Sequence, residues 1–279
     1  MPRFGVNMAA ISLRPVDNYG LSMLNRRRGE KRMESAIQTH IGCVRQTNED
    51  SGRIQRYKNG WILAVVADGM GGHQAGDVAS QMAVDIICDS LKELTENSTP
   101  NELQQRLNEA IQLANEQILT YAQEHEECRG MGTTVVIALM NSQLGVLAHI
   151  GDSRIYRYSE GILQQITSDH TLVNELLRSH QITKDEAANH PRRNILTRAL
   201  GTDKKVKADF SVLHWENGDM LMLCSDGLSG KIGGETMETV LANGSLKEMA
   251  DNLIEQALKA GGEDNITVVL LRNHSEVAE

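Results

Sequence analysis

The segment Trp61-Ile-Leu-Ala-Val-Val-Ala-Asp68-Gly-Met-Gly-Gly-His73 joins a wholly apolar run to an acidic, glycine-rich turn. An apolar run of this length, bounded by turn residues, predicts a β-strand that is buried on both faces. The strand ends at Asp68, so a rigid element would hold this carboxylate in a fixed direction. We therefore expect the fold to be built around this strand and its end to carry chemistry.

Three further aspartates stand in comparable motifs, two of them next to short apolar runs. They are Asp50 in Arg45-Gln-Thr-Asn-Glu-Asp50, Asp226 in Leu-Cys-Ser-Asp226-Gly-Leu, and Asp264 in Gly-Gly-Glu-Asp264-Asn-Ile-Thr-Val-Val-Leu. A single aspartate at a strand end is usually a turn or cap residue. Four carboxylates brought together, however, cannot all stay ionised without a cation, and carboxylate oxygens suit Mg²⁺ or Mn²⁺ rather than zinc. The pattern predicts an acidic pocket around a pair of metals and metal-assisted hydrolysis.

Hydrophobic periodicity around these motifs predicts strands, two helices, and then more strands. Strands are expected at Ile37–Val44, Trp61–Ala67, Thr133–Met140, Leu144–Ile150, Arg154–Tyr158, Ile162–Gln165, Ala208–Leu213, Asp219–Cys224 and Ile266–Leu271. Amphipathic helices are expected at Ala75–Leu94, Glu102–Ala122 and Leu246–Ala260, with short helical pieces at Thr171–Ser179 and Thr183–Ala188. This order is neither a strict βαβ alternation nor a repeat, so it indicates an α+β fold with antiparallel sheets covered by helices.

Composition excludes several classes of protein. The chain has 279 residues, 40% of them hydrophobic, which is enough for one large domain with its own core. No stretch approaches the roughly 20 apolar residues that a membrane helix needs, and the first residues lack the apolar centre of a signal peptide. A net charge of −9 argues against general affinity for nucleic acid. Four scattered cysteines without a CxxC pair indicate buried thiols in a reducing compartment, so we expect a cytoplasmic protein. With only 3% aromatic residues no aromatic-rich association patch stands out, and we expect a monomer.

The N-terminal region differs in charge from the rest of the chain. Residues 1–34 contain seven basic and three acidic residues. They could contact an acidic partner or form a flexible, solvated tail. We expect residues 1–35 to be a flexible basic extension, residues 36–273 to be a single catalytic domain, and residues 274–279 to be a C-terminal tail.

Seven spaced motifs together point to a known family. In chain order they are Arg45…Asn48-Glu49-Asp50, Asp68-Gly-Met-Gly-Gly-His73, Met131-Gly-Thr-Thr134, Gly151-Asp-Ser-Arg154, Thr197-Arg-Ala-Leu-Gly201, Ser225-Asp-Gly-Leu228 and Asp264-Asn-Ile-Thr267. Over about residues 37–272 the chain resembles the protein phosphatase 2C family, metal-dependent Ser/Thr phosphatases, in its compact bacterial branch. The resemblance implies a sandwich of two antiparallel sheets with α-helices on both outer faces.

The resemblance also implies a set of metal ligands. Asp50 and Asp68 would bind the two-metal centre, with Asp68 bridging both ions and the Gly69 carbonyl adding an oxygen. Asp226 and Asp264 would complete the shell of the second metal. The implied cofactors are Mg²⁺ or Mn²⁺, two ions bound tightly and a third more weakly. Asp152 would help Asp226 to hold the third ion, although Gly-Asp-Ser-Arg by itself also reads as a hairpin turn.

Arg45 and His73 are the expected substrate-binding and catalytic side chains beside the aspartates. The guanidinium of Arg45 would hold two phosphate oxygens, a geometry that lysine cannot reproduce; the alternative is a surface ion pair with Glu49. His73 would donate a proton to the leaving alkoxide or orient the substrate. In the eukaryotic pattern the histidine directly follows Asp-Gly, where this chain has Met70, so an exposed loop histidine is the alternative.

The implied reaction is hydrolysis of phosphoserine or phosphothreonine by a metal-bridging water, without a covalent phosphoenzyme. A cysteine-dependent phosphatase is excluded, because none of the cysteines has an arginine six positions later. The implied partners are phosphorylated proteins and a counteracting Ser/Thr kinase. The polar segment 168–200 resembles the family's flap, a variable substrate gate. A non-catalytic interaction module and a hydrolase of small phosphates or phosphodiesters remain as alternatives.

Overall fold

The computed structural model describes residues 31–71, 75–91, 94–95 and 97–275. The strands in these residues are β1 (Lys31–His40), β2 (Asp50–Arg56), β3 (Ile62–Met70), β4 (Gly132–Thr133), β5 (Val135–Met140), β6 (Leu144–Ile150), β7 (Arg154–Ser159), β8 (Ile162–Gln165), β9 (Asp209–His214), β10 (Met220–Cys224) and β11 (Ile266–Ser275). The α-helices are α1 (Ala75–Ser90), α2 (Pro100–Glu124), α3 (Leu172–Arg178), α4 (Lys184–Ala188), α5 (Asp226–Ser229), α6 (Gly234–Leu241) and α7 (Leu246–Lys259).

The strands form two antiparallel sheets that pack face to face. The first sheet has the order β1-β11-β10-β7-β8, and the second has the order β2-β3-β5-β6-β9 with the short β4 added to β3. One apolar cluster fills the space between the sheets, a second joins the second sheet to α1 and α2, and a third joins the first sheet to α6 and α7. The layers are therefore α-β-β-α, which confirms the predicted α+β sandwich.

The apolar run before Asp68 lies at the centre of this arrangement. Leu63 and Val65 on β3 face α1 and α2, whereas the alternating residues Ile62, Ala64 and Val66 face the first sheet. All five side chains are fully buried, and burying each large one stabilises the fold by about 1.5–3 kcal/mol. The run lacks polar residues because both faces of this strand are inside the protein.

Helix starts follow local capping chemistry. Thr99 caps α2: its side chain accepts from the Glu102 backbone N–H, while the Glu102 carboxylate accepts from the Thr99 N–H. Pro100 occupies the first turn, where a missing N–H costs nothing. Because of this capping box, α2 begins at Pro100, two residues before the predicted start at Glu102. Ser245 and Glu248 form the same arrangement at the start of α7.

The first strand begins earlier than its apolar pattern suggests. It was predicted at Ile37–Val44, but β1 spans Lys31–His40 and pairs along its whole length with β11. Residues 31–35 therefore belong to the first sheet rather than to the N-terminal extension. Met33 is buried, and its carbonyl accepts a bond from the Arg56 guanidinium. Residues 1–30 lie outside the described part of the chain, so the flexible tail stays a prediction.

Three elements carried too little pattern to be predicted. Strand β2, Asp-Ser-Gly-Arg-Ile-Gln-Arg, is an edge strand with one large apolar residue, Ile54, which packs between the sheets. Helices α5 and α6 are short and were not predicted either. Among the helices that the structure describes, none has the length and apolar character required to span a membrane.

Candidate active site

Asp50 and Asp68 face each other on neighbouring strands. The β2–β3 register pairs these two residues, so their Cα atoms lie about 5 Å apart. The backbone of Asp68 is fixed by the strand that follows: its N–H donates to Thr134 Oγ1 at 3.1 Å, and its carbonyl accepts from Thr133 Oγ1 and the Thr134 N–H, both at 2.9 Å. The second sheet therefore holds both carboxylates on a rigid edge.

The first sheet delivers the other two aspartates to the same end of the sandwich. Asp226 directly follows Ser225 at the end of β10, and Asp264 lies two residues before β11 begins. These strands are neighbours, and the buried Ser225 joins the sheets because its hydroxyl donates to Asp50 Oδ2 at 2.7 Å and accepts from the Thr267 N–H at 2.9 Å. Four distant aspartates thus converge between the two sheets.

Most of the predicted site residues line one cavity of about 400 Å³. Its lining residues are Arg45, Glu49, Asp68, Gly69, Met70, Gly71, Thr134, Asp152, Asn194, Leu196, Asp226, Asp264 and Asn265. Asp50 lies beneath this lining, where it is buried and bonded to Ser225. The structure therefore brings together Arg45 and all the aspartates that the sequence singled out.

Burial and mutual repulsion change the acidity of these carboxyls. Burial, together with the nearby charges of Asp226 and Asp264, raises the pKa of Asp50 to about 7. Burial first, and the other aspartates second, raise the pKa of Asp68 well above its usual value. Burial and then the charge of Asp264 raise the pKa of Asp226. The pKa of Asp152 is raised to about 7 by burial and by Asp226. The protein alone does not compensate four carboxylates at this site.

One oxygen at the site has no protein partner. Asp50 Oδ1 is buried and accepts no hydrogen bond in the described structure. A buried carboxylate oxygen without a donor is costly unless a cation or water pairs with it. An orphaned oxygen beside a set of crowded carboxyls is what a hard divalent cation requires. The residues present therefore fit the metals that the sequence predicts.

Arg45 lies on the loop between β1 and β2, at the rim of the cavity. Its Nη2 donates to Asp264 Oδ2 at 2.8 Å, and this bond raises the pKa of the guanidinium. About half of the side chain, 48%, is exposed, so an anion in the cavity can reach it. Its ion pair is with Asp264 rather than with Glu49, the partner considered from sequence.

A buried asparagine that sequence reasoning did not single out holds the Arg45 loop. The Asn265 side chain accepts from the Glu49 N–H at 2.8 Å and donates to the carbonyls of Ile41 and Thr47 at 2.8 and 3.0 Å. Its position in the sequence, directly between the candidate ligand Asp264 and an apolar strand, could have marked it. An asparagine buried at such a place needs several hydrogen-bond partners. Asn265 thus positions Arg45 opposite the aspartates.

Two glycines allow backbone approaches that no side chain would permit. A Cβ on Gly69 would lie 1.9 Å from the Gly76 carbonyl oxygen, so the end of β3 packs directly on the start of α1. Gly151 has φ +103°, and a Cβ there would lie 2.6 Å from Thr134. The Gly151-Asp152-Ser153 segment joins β6 in the second sheet to β7 in the first, so it is not the hairpin turn that its residues alone suggest. It places Asp152 in the cavity wall.

His73 lies outside the described residues, so its role stays a prediction. Met70, which stands where the eukaryotic pattern has histidine, lines the cavity. Asn194 and Leu196 from the predicted flap also line it, and sequence reasoning had not singled them out. The sequence around these two residues carries no motif that would identify them. They reach the cavity because of the course that the flap backbone takes in the folded protein.

Comparisons with known proteins agree with this geometry. The family model described as protein phosphatase 2C matches residues 40–268. The chain is 46% identical over 243 residues to the serine/threonine phosphatase stp of Listeria welshimeri, which covers 87% of this chain and 96% of the relative. The S. agalactiae serine/threonine phosphatase structure superposes with a TM-score of 0.82 at 38% identity, covering 86% of this chain and 99% of that one.

A further solved structure contains metal ions. It is the catalytic domain of the serine/threonine protein phosphatase PstP in complex with two manganese ions, with a TM-score of 0.75 and 35% identity over 86% of this chain and 97% of that chain. The family match covers most of the present chain, and the named relatives are Ser/Thr phosphatases of bacteria. The chain therefore belongs to the protein phosphatase 2C family, whose members are metal-dependent, and is a Ser/Thr protein phosphatase of the bacterial type.

Proposed function

We propose that this phosphatase hydrolyses phosphoserine and phosphothreonine in proteins by direct attack of water at a two-metal centre, in opposition to a Ser/Thr kinase. The observation that carries the proposal is the convergence of Asp50, Asp68, Asp226 and Asp264 from both sheets beneath the Arg45 guanidinium. A cytoplasmic, monomeric enzyme with one catalytic domain and a flexible basic N-terminal tail is part of the same proposal.

The aspartates are proposed as the ligands of two divalent cations. Asp50 and Asp68, with the Gly69 carbonyl, would hold the pair, and Asp226 and Asp264 would complete it. When bound, Mg²⁺ or Mn²⁺ would supply Lewis-acid activation of a water molecule at neutral pH and neutralise charge on the phosphate. Two manganese ions in the PstP structure support Mn²⁺ as the first ion to test. Asp152 with Asp226 would hold a third, weaker ion.

Arg45 is proposed to bind the phosphate group. Its bond to Asp264 uses one of the five guanidinium N–H donors, and the fork can present a parallel pair to two phosphate oxygens. Because Asp264 fixes the guanidinium, little side-chain entropy remains to be lost when the substrate binds. Arg45 would also stabilise the charge that builds up on the equatorial oxygens during transfer to water.

The leaving group and the protein part of the substrate are assigned to His73 and to the flap. His73 would protonate the serine or threonine alkoxide or orient the ester. The flap (residues 168–200) supplies Asn194 and Leu196 to the cavity wall, so it would contact the residues that flank the phosphorylated side chain. His190-Pro-Arg-Arg193 would contribute to this contact. In the stretch Ile166-Thr-Ser-Asp-His-Thr171 the side chains of Thr167, His170 and Thr171 are buried, so only its more exposed members would take part, Ser168 above all.

A substrate panel tests the reaction class. A phosphothreonine peptide, an aryl phosphate and a cyclic nucleotide are incubated with the full chain in Mn²⁺, Mg²⁺ or excess chelator. We expect hydrolysis of both monoesters with a cation and none of the cyclic diester. Undiminished dephosphorylation after exhaustive chelation would reject the two-metal centre, and selective diester cleavage would favour the small-phosphate alternative.

Two further measurements address the mechanism. With methanol as a competing acceptor, direct attack by water yields only inorganic phosphate, whereas a phosphoenzyme would also give methyl phosphate.

His73→Ala is compared on the peptide and on an aryl phosphate with a good leaving group. A larger loss on the peptide is expected if His73 is the acid, and equal losses would exclude a leaving-group role.

A further inference from the structure

His170 lies behind the catalytic cavity, at the point where the flap joins the body of the protein. The two ends of the flap meet there: the Leu172 N–H donates to the Ile195 carbonyl at 2.9 Å, and the Thr197 N–H donates to the His170 carbonyl at 2.8 Å. Thr171 and Leu196 form an antiparallel bridge between these bonds. His170 therefore belongs to the base of the flap.

The same histidine holds the residue that precedes Asp152. The His170 N–H donates to the Gly151 carbonyl at 2.9 Å, and His170 Nδ1 accepts from the Gly151 N–H at 3.1 Å. Gly151 is thus held through both of its backbone polar groups. On its other side the turn is fixed by a 2.8 Å hydrogen bond between the hydroxyls of Ser153 and Thr134, the residue that also binds the Asp68 N–H.

These contacts determine which ring nitrogen of His170 carries the proton. Because Nδ1 accepts a backbone N–H, the proton lies on Nε2, which donates to Asp209 Oδ2 at 3.2 Å. Asp209 Oδ1 in turn accepts from Arg198 Nη1 at 2.9 Å. The ring is 4% exposed and stacks on His149 with 4.5 Å between centroids. Every polar atom of this ring is therefore used inside the protein.

This cluster could also be considered as a cation site, since ligand atoms of His149, His170 and Asp209 lie within 4.8 Å of one another. The guanidinium of Arg198 already occupies this position, however. Its Nη1 lies 3.1 Å from His170 Nε2 and donates to Asp209 Oδ1. A metal would have to displace this guanidinium and the Nε2 proton. The geometry favours a structural role for the cluster.

We propose that His170 is a positioning residue that connects the base of the flap to the Asp152 turn. The ring fixes Gly151, and Gly151 sets the direction in which Asp152 enters the cavity. A displacement of the flap base would then change how Asp152 enters the cavity, so the flap and a weak cation at Asp152 are coupled through His170. The coupling to the cation rests on the proposed function, which assigns the third ion to Asp152.

Two substitutions separate the two sides of the ring. His170→Asn keeps an acceptor at the position of Nδ1 and loses the bond to Asp209. His170→Gln keeps a donor near the position of Nε2 and loses the acceptor for Gly151. His149→Gln is the matched control, because this stacked histidine is equally buried but its Nε2 bonds the Ser168 carbonyl. None of the three variants removes a partner of the Arg154–Asp169 ion pair, so segment 168–171 should stay docked in all of them.

The direct readout is amide hydrogen exchange in the full chain. We expect His170→Gln to accelerate exchange in segments 150–154 and 195–198, and His170→Asn to stay close to wild type in segment 150–154. His149→Gln should leave segment 150–154 unchanged. If His170→Gln changes neither segment, or if His149→Gln accelerates segment 150–154 equally, the positioning role is wrong. Urea unfolding identifies any variant whose exchange reflects global destabilisation.

The second readout is Mn²⁺ binding, followed by calorimetry and by the paramagnetic resonance of free Mn²⁺. Loss of an outer-shell partner typically weakens metal affinity 10–100-fold, so His170→Gln should weaken the weakest site about 10-fold and leave the tighter sites unchanged. His170→Asn should restore it. If Asp152→Ala leaves the weak site intact, the third-ion assignment in the proposed function fails, and exchange at 150–154 alone decides the role of His170. If Asp152→Ala removes the site and His170→Gln does not weaken it, the inference fails and the proposed function stands.

Discussion

The floor of the cavity and the flap above it are built in different ways. Asp50 and Asp68 lie on strands β2 and β3, whose backbones are paired residue by residue in the middle of a layered core. The flap helix α3 buries no residue, and α4 has only five residues and depends on the capping box of Thr183 and Glu186. Strand ends fix the catalytic groups, whereas a segment with few buried contacts can change its position and sequence at low cost. The comparison predicts that floor variants alter chemistry and flap variants alter substrate choice.

The largest effect is expected for Asp68→Asn. This change keeps the shape of the side chain and removes a charge from the proposed bridging position, so kcat/KM should fall about 10³-fold, or about 4 kcal/mol, on peptide and aryl substrates alike. Asp185→Asn, an exposed aspartate in the first turn of α4, is the matched control and should leave the activity on aryl phosphate unchanged. Steady-state kinetics in saturating Mn²⁺ give both values. Equal effects at the two positions would remove the distinction between floor and flap.

Arg45→Lys is expected to have the next largest effect. Lysine keeps the positive charge but cannot offer the guanidinium fork, so kcat/KM should fall about 10²-fold for both substrate types. Arg192→Lys makes the same chemical change on an exposed flap residue. It should change the rate on aryl phosphate less than about twofold, because contact with the peptide alone would be affected. If Arg45→Lys lowered the activity on peptides alone, Arg45 would belong to the peptide-recognition surface rather than to the phosphate-binding site.

The floor should also give the cation-free protein a characteristic pH dependence. Burial raises the pKa of Asp50 and of Asp152 to about 7, whereas carboxyls of the unfolded chain titrate near 4. Between these values the folded state binds more protons, so the free energy of unfolding should decrease as the pH rises, by up to about 1.4 kcal/mol per pH unit for each carboxyl.

Urea unfolding between pH 4.5 and 7.5 measures this dependence. With excess Mn²⁺ the cations replace the protons, so the stabilisation by metal should increase across the same range. Asp152→Ala should make the cation-free curve less steep, because one of the carboxyls with a raised pKa is gone. Because burial also lowers the pKa of His149 and of His170, which adds a slope of the opposite sign, the comparison of variants decides. If Asp152→Ala leaves the slope of the cation-free curve unchanged, Asp152 does not belong to an uncompensated cluster.

The same contrast explains what could be predicted from sequence. Apolar runs such as Trp61–Ala67 determine buried strands, and the aspartates that follow them reach the floor because the strands end together. Strand β2 was missed because an edge strand with one large apolar residue has no periodicity to read. Asn265 was not singled out, and His170 was predicted only as part of the flap. Their roles depend on partners more than 200 and about 20 residues away in the chain, and no local pattern records such hydrogen bonds.

The smallest effect is expected at Ile195, on the flap side of the cavity. This side chain is 46% exposed and lies between Asn194 and Leu196, which line the cavity, so it can pack against an apolar residue beside the phosphorylated one. Ile195→Ser should raise KM for such a peptide about threefold to tenfold, since burying part of one isoleucine contributes about 1 kcal/mol, and should leave kcat for aryl phosphate unchanged. Ile162→Ser, a more exposed isoleucine on edge strand β8, is the control. If both variants change the peptide KM equally, the effect is general surface chemistry; if Ile195→Ser lowers kcat for aryl phosphate, the flap takes part in the chemistry and its separation from the floor is wrong.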